Sequence, residues 1–331
     1  MKKFINSVDS FLTESLAGFT AIHGDVVKLG DGGAFVRRAT PARDKVALIS
    51  GGGSGHEPLH AGFVGVGMLD AACPGQVFTS PTPDQMSAAA SAVGGPKGVL
   101  FIVKNYSGDR MNFEMAAELY DGPTATVVTD DDVAVENSTW TTGRRGVAGT
   151  VIVEKIVGAA AEQGGSLESL KALGDEVNRR TRSMGVALTS CTVPAAGTPT
   201  FTLGEDEMEM GVGIHGEPGR KRVKLASAKA IAEEMMTAIL DDLKPTGALG
   251  EEAILLVNGF GGTPSLELYL MAEMARAELA RRGVKVARGL VGSYVTSLEM
   301  AGVSLTVSAV DDRLLSLWDA PVHTAALNWG R

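Results

Sequence analysis

The chain has little of what several classes of protein require. Only two of its 331 residues are cysteine, Cys73 and Cys191, which is too few for a disulfide-stapled fold of this size. Aromatic residues make up 5% of the sequence, so a stacking platform for single-stranded nucleic acid is not expected. The net charge of -9 also argues against binding to a phosphate backbone. We therefore predict no nucleic-acid partner.

Long hydrophobic runs are missing as well. No stretch reaches the roughly 18 apolar residues that a membrane-spanning helix needs. The N-terminal letters MKKF begin like a signal peptide, but Asn6, Asp9 and Glu14 prevent an apolar segment from following them. We expect a cytoplasmic protein with no membrane partner.

Glycine, in contrast, is abundant. The 42 glycines have no three-residue period and lie between apolar runs, which is typical of many tight turns. The hydrophobic fraction of 44% and the charged fraction of 21% predict a packed globular chain. At about 150 residues per domain, the length predicts two domains. We place them at residues 1–184 and 185–331.

Apolar strands alternate with helices, which predicts an α/β fold. In the first half, strands are expected at 45–50, 98–105 and 124–128, and helices at 5–19, 82–93, 111–120, 147–163 and 167–182. In the second half, strands are expected at 186–193, 208–214, 253–258, 284–291 and 303–310, and helices at 227–243, 264–282 and 311–318. We predict a first, three-layer parallel-sheet domain and a second, smaller mixed-sheet α/β domain.

The segment GGGSGHEP at 51–58 is the first candidate site. The strand before it is predicted to stop at Gly51, and a glycine-rich turn lets backbone N–H groups approach a ligand closely. Pro58 suits the first position of a following helix, whose N-terminus would face that ligand. A tight structural turn is the alternative, but the run of glycines followed by His56 favours a binding site.

Several motifs nearly match and are rejected. Residues 56–60 read H-E-x-x-H, but Pro58 lies where the zinc-binding helix would have to be continuous, so we predict no metal. No phosphate-binding P-loop is present, and His56 stands where the dinucleotide fingerprint needs glycine. We predict no cofactor in this chain. The acidic run 130–132 is interpreted as a strand-end loop, and the basic run 220–224 as a solvated loop.

Two further loops carry polar side chains that suit catalysis. Lys104 could hold a substrate oxygen and Asp109 could take a proton from a hydroxyl, although Asp109 is also a plausible helix N-cap. His215 stands between glycines, and a neutral imidazole can add to a carbonyl carbon. A structural role for His215 stays open. His23, His60 and His323 are predicted to be structural.

The motif segments, taken together, resemble one family from near residue 45 to the C-terminus. They are GGGSGHEP (51–58), CPGQVFTSPTPDQM (73–86), IVKNYSGDRMNFE (102–114), DDDVAVENS (130–138), GRRGVAGTV (143–151), CTVPAAG (191–197), EMGVGIHGEPG (209–219) and DAPVHTAALNWG (319–330). The chain resembles the dihydroxyacetone-binding K subunits of dihydroxyacetone kinases. The resemblance implies two α/β domains and a homodimer.

The resemblance also implies a mechanism. His215 would capture the carbonyl of dihydroxyacetone as a hemiaminal through Nε2. His56 would be the proton acceptor, with Asp109 close to the hydroxyl that receives the phosphoryl group. Lys104 would complete the substrate contacts, together with the glycine-rich residues Gly53, Ser54 and Gly55.

The phosphoryl donor would be held elsewhere. Family members that consist of one chain carry a nucleotide-binding domain after the K region, whereas this sequence ends at Arg331. The resemblance therefore implies the multi-subunit form, in which an L subunit holds ADP or ATP with Mg²⁺ and a phosphotransferase M subunit recharges it. An L subunit that exchanges free ATP stays open. So do another small ketose, such as erythrulose, and a non-catalytic binding or regulatory module.

Overall fold

A computed structural model of the chain describes residues 2–135, 143–217 and 219–330. Three parts of the predicted features lie outside the described residues. They are positions 136–138 of the acidic motif, Pro218 of the His215 motif, and Arg331.

Helices and strands alternate along the chain, as the sequence predicted. The helices are α1 (Phe11–Ile22), α2 (Pro83–Val93), α3 (Ser107–Leu119), α4 (Gly149–Glu162), α5 (Leu167–Arg179), α6 (Ala228–Leu243), α7 (Ser265–Arg281) and α8 (Asp312–Asp319). The strands are β1 (Val27–Leu29), β2 (Val36–Arg38), β3 (Ala47–Ser54), β4 (Gly65–Val66), β5 (Ala71–Val77), β6 (Val99–Lys104), β7 (Thr124–Thr129), β8 (Thr181–Ala187), β9 (Glu207–Met210), β10 (Lys221–Lys224), β11 (Glu252–Gly259), β12 (Lys285–Gly292), β13 (Gly302–Val310), β14 (Val322–Thr324) and β15 (Asn328–Trp329).

The first sheet has the order β1-β2-β5-β3-β6-β7. Strand β3 is parallel to both of its neighbours, β5 and β6, which confirms a parallel centre. The predicted parallel sheet is only part of this sheet, because at one edge β1 and β2 pair antiparallel and β2 is antiparallel to β5. An antiparallel pair needs only a short connection, whereas parallel strands need a long crossover.

The second sheet has the order β10-β9-β8-β13-β11-β12 and is mixed, as predicted. In the described residues β11 and β12 run parallel, and the other four neighbour pairs of this sheet are antiparallel. Strands β8 and β13 are buried along their whole lengths, so they form the centre of this sheet. A third, small sheet joins β15, β14 and β4.

By its contacts the chain divides into two compact units, and each unit takes more than one segment of sequence. The first consists of Met1–Val128, Val153–Asp175 and Ser316–Arg331, and the second of Thr129–Ile152 and Glu176–Leu315. The boundary expected at 184/185 falls inside β8, which belongs to the second unit as a whole. The division into 1–184 and 185–331 stays a prediction from the sequence.

Local differences from the sequence-based expectations concern the ends of elements. The opening helix begins at Phe11 rather than near Ile5. Helix α5 ends at Arg179, because the residues from Thr181 onwards are drawn into the buried strand β8. The basic run, expected in a loop, forms the exposed edge strand β10, which pairs with β9. Among the described residues, no helix is long and apolar enough to cross a bilayer.

Helix α4 lies against backbone in the first unit, and a glycine makes this possible. A Cβ added at Gly158 would stand 2.4 Å from the carbonyl oxygen of Gly67 and 2.5 Å from Cα of Met68. Such backbone atoms cannot move aside as the end of a flexible side chain can. The absence of a side chain at position 158 therefore sets how closely α4 approaches the segment after β4.

Two Gly→Ala substitutions in helices should consequently have opposite effects on stability. Gly18→Ala meets no atom within 4 Å in α1 and should raise the free energy of unfolding by about 0.5–1 kcal/mol, because alanine is the better helix former. Gly158→Ala should lower it by about 1–3 kcal/mol through the clash. Urea denaturation of both variants measures this, and stabilisation by both would contradict the packing described here.

Candidate active site

The first cluster of polar side chains lies at the carboxyl end of the parallel strands in the first unit. Strand β3 pairs with β6 only as far as Ser50, whereas its pairing with β5 continues through Gly51–Ser54. The chain also passes from β5 to β6 across β3 at this point, which is a topological switch of the kind where α/β sheets bind ligands.

The glycine-rich segment is part of the strand, which corrects the sequence prediction of a turn. Strand β3 extends through Gly51, Gly52 and Gly53 to Ser54, because their backbones pair with β5. No helix begins at Pro58 in the described residues, so the helix N-terminus expected there is absent. The glycines serve close packing: a Cβ at Gly51 would lie 2.6 Å from the Cys73 carbonyl oxygen, and one at Gly53 would lie 2.6 Å from the Thr79 nitrogen.

Lys104, the last residue of β6, points its ammonium group at the glycine strand. Its Nζ lies 3.4 Å from the Gly51 carbonyl oxygen and 3.7 Å from Oδ2 of Asp109, and the residue is only 1% exposed. A Cβ at Gly52 would stand 2.3 Å from Nζ, so the missing side chain makes room for the ammonium group. The structure thus brings Lys104 and Asp109 together.

Asp109 is the third residue of α3 and not its N-cap, which corrects the alternative reading. Tyr106 occupies the N-cap position, and Asp109 lies in the first turn at 3% exposure. A carboxylate there is favoured by the positive end of the helix dipole. Its Oδ1 is buried and has no hydrogen-bond partner in the described part of the chain. Such an oxygen is available to accept a hydrogen bond from a ligand.

His56 and the residues before it line the turn that leaves β3. The His56 ring stacks on Phe78, with ring centroids 5.0 Å apart and 15° between the planes, and is 1% exposed. Ser54 donates its hydroxyl to the Gly75 carbonyl oxygen at 2.7 Å. Gly55 has a φ of 103°, which a residue with a side chain rarely adopts, so glycine is required there.

His60 was expected to be structural, yet it lies in the same cluster. Its Nε2 is 2.9 Å from Lys104 Nζ, and its Nδ1 is 2.7 Å from Oε1 of Glu154 and 3.0 Å from Oγ of Ser50. Sequence reasoning missed Glu154 altogether. The available signal was a carboxylate, followed by Lys155, inside the otherwise apolar letters TVIVEKIVG of α4.

A cavity of about 420 Å³ reaches this strand from the side of α1. Gly52, Gly53, Ser54 and His60 contribute to its wall, and the α1 side is largely apolar. His56, Lys104 and Asp109 are not among its lining residues, so the cavity meets the polar cluster at Ser54 and His60.

The second cluster of polar side chains belongs to the second unit and is centred on His215. Its Nδ1 lies 3.0 Å from Oε1 of Glu217, and its backbone N–H donates to Oε2 of Glu217 at 2.9 Å. Burial by itself raises the pKa of the Glu217 carboxyl. The His215 ring and the Arg145 guanidinium outweigh this effect and lower the pKa to about 2. An ionised carboxylate only accepts hydrogen bonds, so Nδ1 carries a proton, and in the neutral form of the ring the lone pair lies on Nε2.

Arg145, which the sequence did not point to, contacts the backbone of the loop that carries His215. The side chain is fully buried and donates to the Gly211 carbonyl oxygen at 2.7 Å and to Asp132 at 2.8 Å. A Cβ at Gly213 would lie 2.1 Å from Oε2 of Glu217 and 2.6 Å from Nη1 of Arg145. Glycine at 213 therefore lets both charged groups approach the loop backbone.

The acidic run at 130–132 follows β7, and two of its members make structural contacts. Asp131 accepts hydrogen bonds from the backbone N–H groups of Val147 and Gly149 at the start of α4, and from the Ser183 hydroxyl. Asp132 pairs with Arg145. Over residues 2–135, 143–217 and 219–330, no group of three or more His, Cys, Asp or Glu side chains could hold a metal ion.

The fold and the first cluster together define an α/β protein with buried polar side chains at the carboxyl end of the parallel strands of its first unit. The Dak1 domain model matches residues 17–326, and the chain belongs to this family.

Its relatives are similar along nearly the whole chain. The chain is 48% identical to the dihydroxyacetone-binding subunit of the PEP-dependent dihydroxyacetone kinase of Escherichia coli K12, with 100% of both chains covered. It is 50% identical to the dihydroxyacetone-binding subunit of PTS-dependent dihydroxyacetone kinase 1 of Listeria innocua, with 98% of this chain and 100% of the relative covered. Among solved structures, a dihydroxyacetone kinase operon co-activator superposes with a TM-score of 0.89 at 33% identity, covering 95% of this chain and 97% of the other.

The Glu217 carboxyl should contribute to acid sensitivity. Its pKa lies below the ordinary value of 4.5, so its contribution to stability is present above pH 4.5 and is lost as the pH falls towards about 2. Glu217→Gln should therefore flatten the fall in stability over this window. Urea unfolding at a series of pH values measures it, with wild type as reference, and parallel curves for the two proteins would contradict the assignment.

Proposed function

We propose that the chain is the dihydroxyacetone-binding subunit of a multi-subunit, PTS-dependent dihydroxyacetone kinase. It presents a hydroxyl of the bound substrate for phosphorylation, which gives dihydroxyacetone phosphate. The relatives that support this proposal are named as such subunits and match over their full lengths. The observation that carries the chemistry is the hydrogen bond from His215 Nδ1 to Glu217, which directs the nucleophilic lone pair to Nε2.

His215 captures the substrate as a hemiaminal in this proposal. Nε2 forms a bond to the carbonyl carbon, the C=O π bond breaks, and the carbonyl oxygen gains a proton to become a hydroxyl. The ring returns to neutral by releasing the Nδ1 proton, for which Glu217 is the adjacent acceptor at 3.0 Å. No atom is lost, so the adduct has the summed mass of chain and substrate. Covalent capture selects ketones or aldehydes over polyols.

The group in the first unit acts on the hydroxyl that receives the phosphoryl group. Asp109 has a buried carboxylate oxygen without a hydrogen-bond partner in the described residues, which suits it to accept the hydroxyl hydrogen. His56 is the proton acceptor, and Lys104 holds a substrate oxygen by its ammonium charge. Gly53, Ser54 and Gly55 supply backbone close to the ligand.

The partners follow from the same proposal. An L subunit supplies ADP or ATP with Mg²⁺, and a phosphotransferase M subunit recharges the nucleotide. The chain itself forms a homodimer. A cytoplasmic location stays a prediction from the sequence.

A second candidate function is regulatory rather than catalytic. It is favoured by the superposition on the operon co-activator, which has a closely similar fold but is named as a regulator. Another small ketose as the substrate is a further alternative with the same chemistry. A regulatory module would give no turnover in a reconstituted system. A different ketose kinase would give turnover on that ketose rather than on dihydroxyacetone.

Capture by His215 is tested by intact-mass analysis with and without dihydroxyacetone, under activation that strips non-covalently bound ligands from the chain. The wild-type chain should gain the mass of one substrate molecule, and His215→Ala should show no gain, because the nucleophile is gone. Glycerol, which has no carbonyl, is the matched ligand control and should add nothing. His323→Ala is the matched protein control, since His323 lies on β14 and has no assigned role.

Two outcomes would contradict the assignment. One is an adduct that maps to Lys104 rather than His215. The other is tight binding of dihydroxyacetone by the wild-type chain without any gain in mass.

Asp109→Ala and His56→Ala should separate capture from transfer. Both variants should still form the His215 adduct, because neither side chain takes part in the bond at the carbonyl carbon. In an assay reconstituted with an L subunit and Mg-ATP, each should lose about 10²–10⁴-fold in kcat, the usual contribution of an acid or base group. Asp109→Asn serves as the isosteric comparison. Near-normal turnover of either alanine variant at saturating substrate would remove that residue from the mechanism.

A further inference from the structure

Four polar side chains in the first unit form a continuous row. Asp109 Oδ2 lies 3.7 Å from Lys104 Nζ, Nζ lies 2.9 Å from His60 Nε2, and His60 Nδ1 lies 2.7 Å from Glu154 Oε1. All four residues are at least nine-tenths buried. The proposed function uses the first two members of the row and gives no role to the last two.

The hydrogen bonds in this row can point in only one direction when Lys104 is charged. An ammonium group has three donors and no acceptor, so His60 Nε2 must accept from Nζ. A neutral imidazole that accepts at Nε2 carries its proton on Nδ1, and Nδ1 therefore donates to Glu154. Ser50 does not reverse this order, because its hydroxyl donates to the Ile102 carbonyl oxygen at 2.6 Å and leaves its lone pairs towards His60.

The protonation states of His60 and Glu154 are consistent with hydrogen bonds that run from Lys104 through His60 to Glu154. Burial, and then the charges of Lys104 and His56, lower the pKa of His60 well below its usual value, so the ring stays neutral. Burial raises the pKa of Glu154 to about 8, against the opposing effects of Lys104 and Ser50. A Glu154 that holds its proton on Oε2 still offers Oε1 as an acceptor. His60 therefore keeps its Nδ1–H tautomer whether Glu154 is ionised or not.

The consequence of this direction appears at Asp109. Nζ stands 2.9 Å from His60 but 3.7 Å from the carboxylate, so the ammonium group is hydrogen-bonded to the histidine and only ion-paired with the aspartate. Without an acceptor at His60, the ammonium group would rely on its two other neighbours, the Gly51 carbonyl oxygen at 3.4 Å and Asp109 Oδ2 at 3.7 Å, of which only the carboxylate carries a charge that attracts it. A carboxylate that holds the ammonium directly is a poorer acceptor for a ligand hydroxyl.

We propose that His60 and Glu154 are positioning residues for Lys104, which hold its ammonium group away from Asp109 and so keep that carboxylate available for the acceptor hydroxyl. This inference rests on the proposed function for its catalytic consequence. The hydrogen-bond direction itself does not depend on which substrate is bound.

Two substitutions at position 60 separate the two halves of the row. In His60→Gln, the amide oxygen can stand where Nε2 was and accept from Lys104. In His60→Asn, the shorter amide can stand where Nδ1 was and contact Glu154, but it offers Lys104 nothing. We expect His60→Asn to lose about 10–100-fold in kcat, the value of a hydrogen bond to a charged group, and His60→Gln to stay within a few-fold of wild type. KM for dihydroxyacetone should change little in either.

Lys45→Met is the control for general destabilisation. Lys45 is a buried cation of the same unit that pairs with Asp70 at 2.5 Å and has no place in the proposed mechanism. Its thermal stability should fall while its kcat stays near that of wild type. If kcat of the two His60 variants is equal, or follows the loss of thermal stability as a single trend with Lys45→Met, the positioning role is wrong.

The hydrogen-bond direction is read separately by ¹⁵N chemical shifts of the histidine rings in the full chain. His60 should appear as a neutral ring with its proton on Nδ1 from about pH 6 to about pH 8, where a free histidine titrates. An Nε2–H tautomer, or a protonated ring in this range, would overturn the proposal.

Failure of the proposed function is distinguishable from failure of this inference. If the wild-type chain forms no adduct and does not support turnover of dihydroxyacetone, the proposed function fails, while the ¹⁵N result still decides the direction of the row. If the wild-type chain forms the adduct and turns over, the comparison of His60→Gln with His60→Asn decides the positioning role alone.

Discussion

The burial of one ammonium group constrains the whole polar site of the first unit. Lys104 is 1% exposed, and a charge taken out of water is tolerated only when its donors are satisfied. The Gly51 carbonyl, the His60 ring and the Asp109 carboxylate meet this requirement from three directions. Gly52 meets it in a different way, by the lack of a side chain that would occupy the same space.

In both clusters of polar side chains a Glu side chain contacts Nδ1 of a histidine. Glu217 contacts the partly buried His215, and Glu154 contacts the buried His60, whose tautomer is set by the Lys104 ammonium group at Nε2. The consequence differs with what Nε2 faces. At His60 the lone pair meets an ammonium group, whereas at His215 it is the proposed nucleophile. The same contact at Nδ1 thus accompanies a proposed positioning role at His60 and a proposed nucleophile at His215.

Much of the candidate site was readable from residue types and their order. Lys104 and Asp109 lie five positions apart at the end of a predicted buried strand, and the structure brings them to 3.7 Å, while their catalytic roles stay a prediction. The state of the glycine strand was not readable, because a run of glycines has little intrinsic preference and only pairing with β5 decides that it is extended. His60 was interpreted as structural because its partner Glu154 lies 94 positions away along the chain.

The sequence by itself determined the α/β class, most helix positions and the family, since apolar periodicity and motif letters are local properties. It also determined that His215 has a carboxylate two positions away that could hold Nδ1. Only the tertiary structure decided the antiparallel edge of the first sheet, the segments that make up each compact unit, and the row from Asp109 to Glu154. These depend on contacts between residues far apart in the chain, whose free energy arises from burial and pairing, and neither has a local signature in the letters.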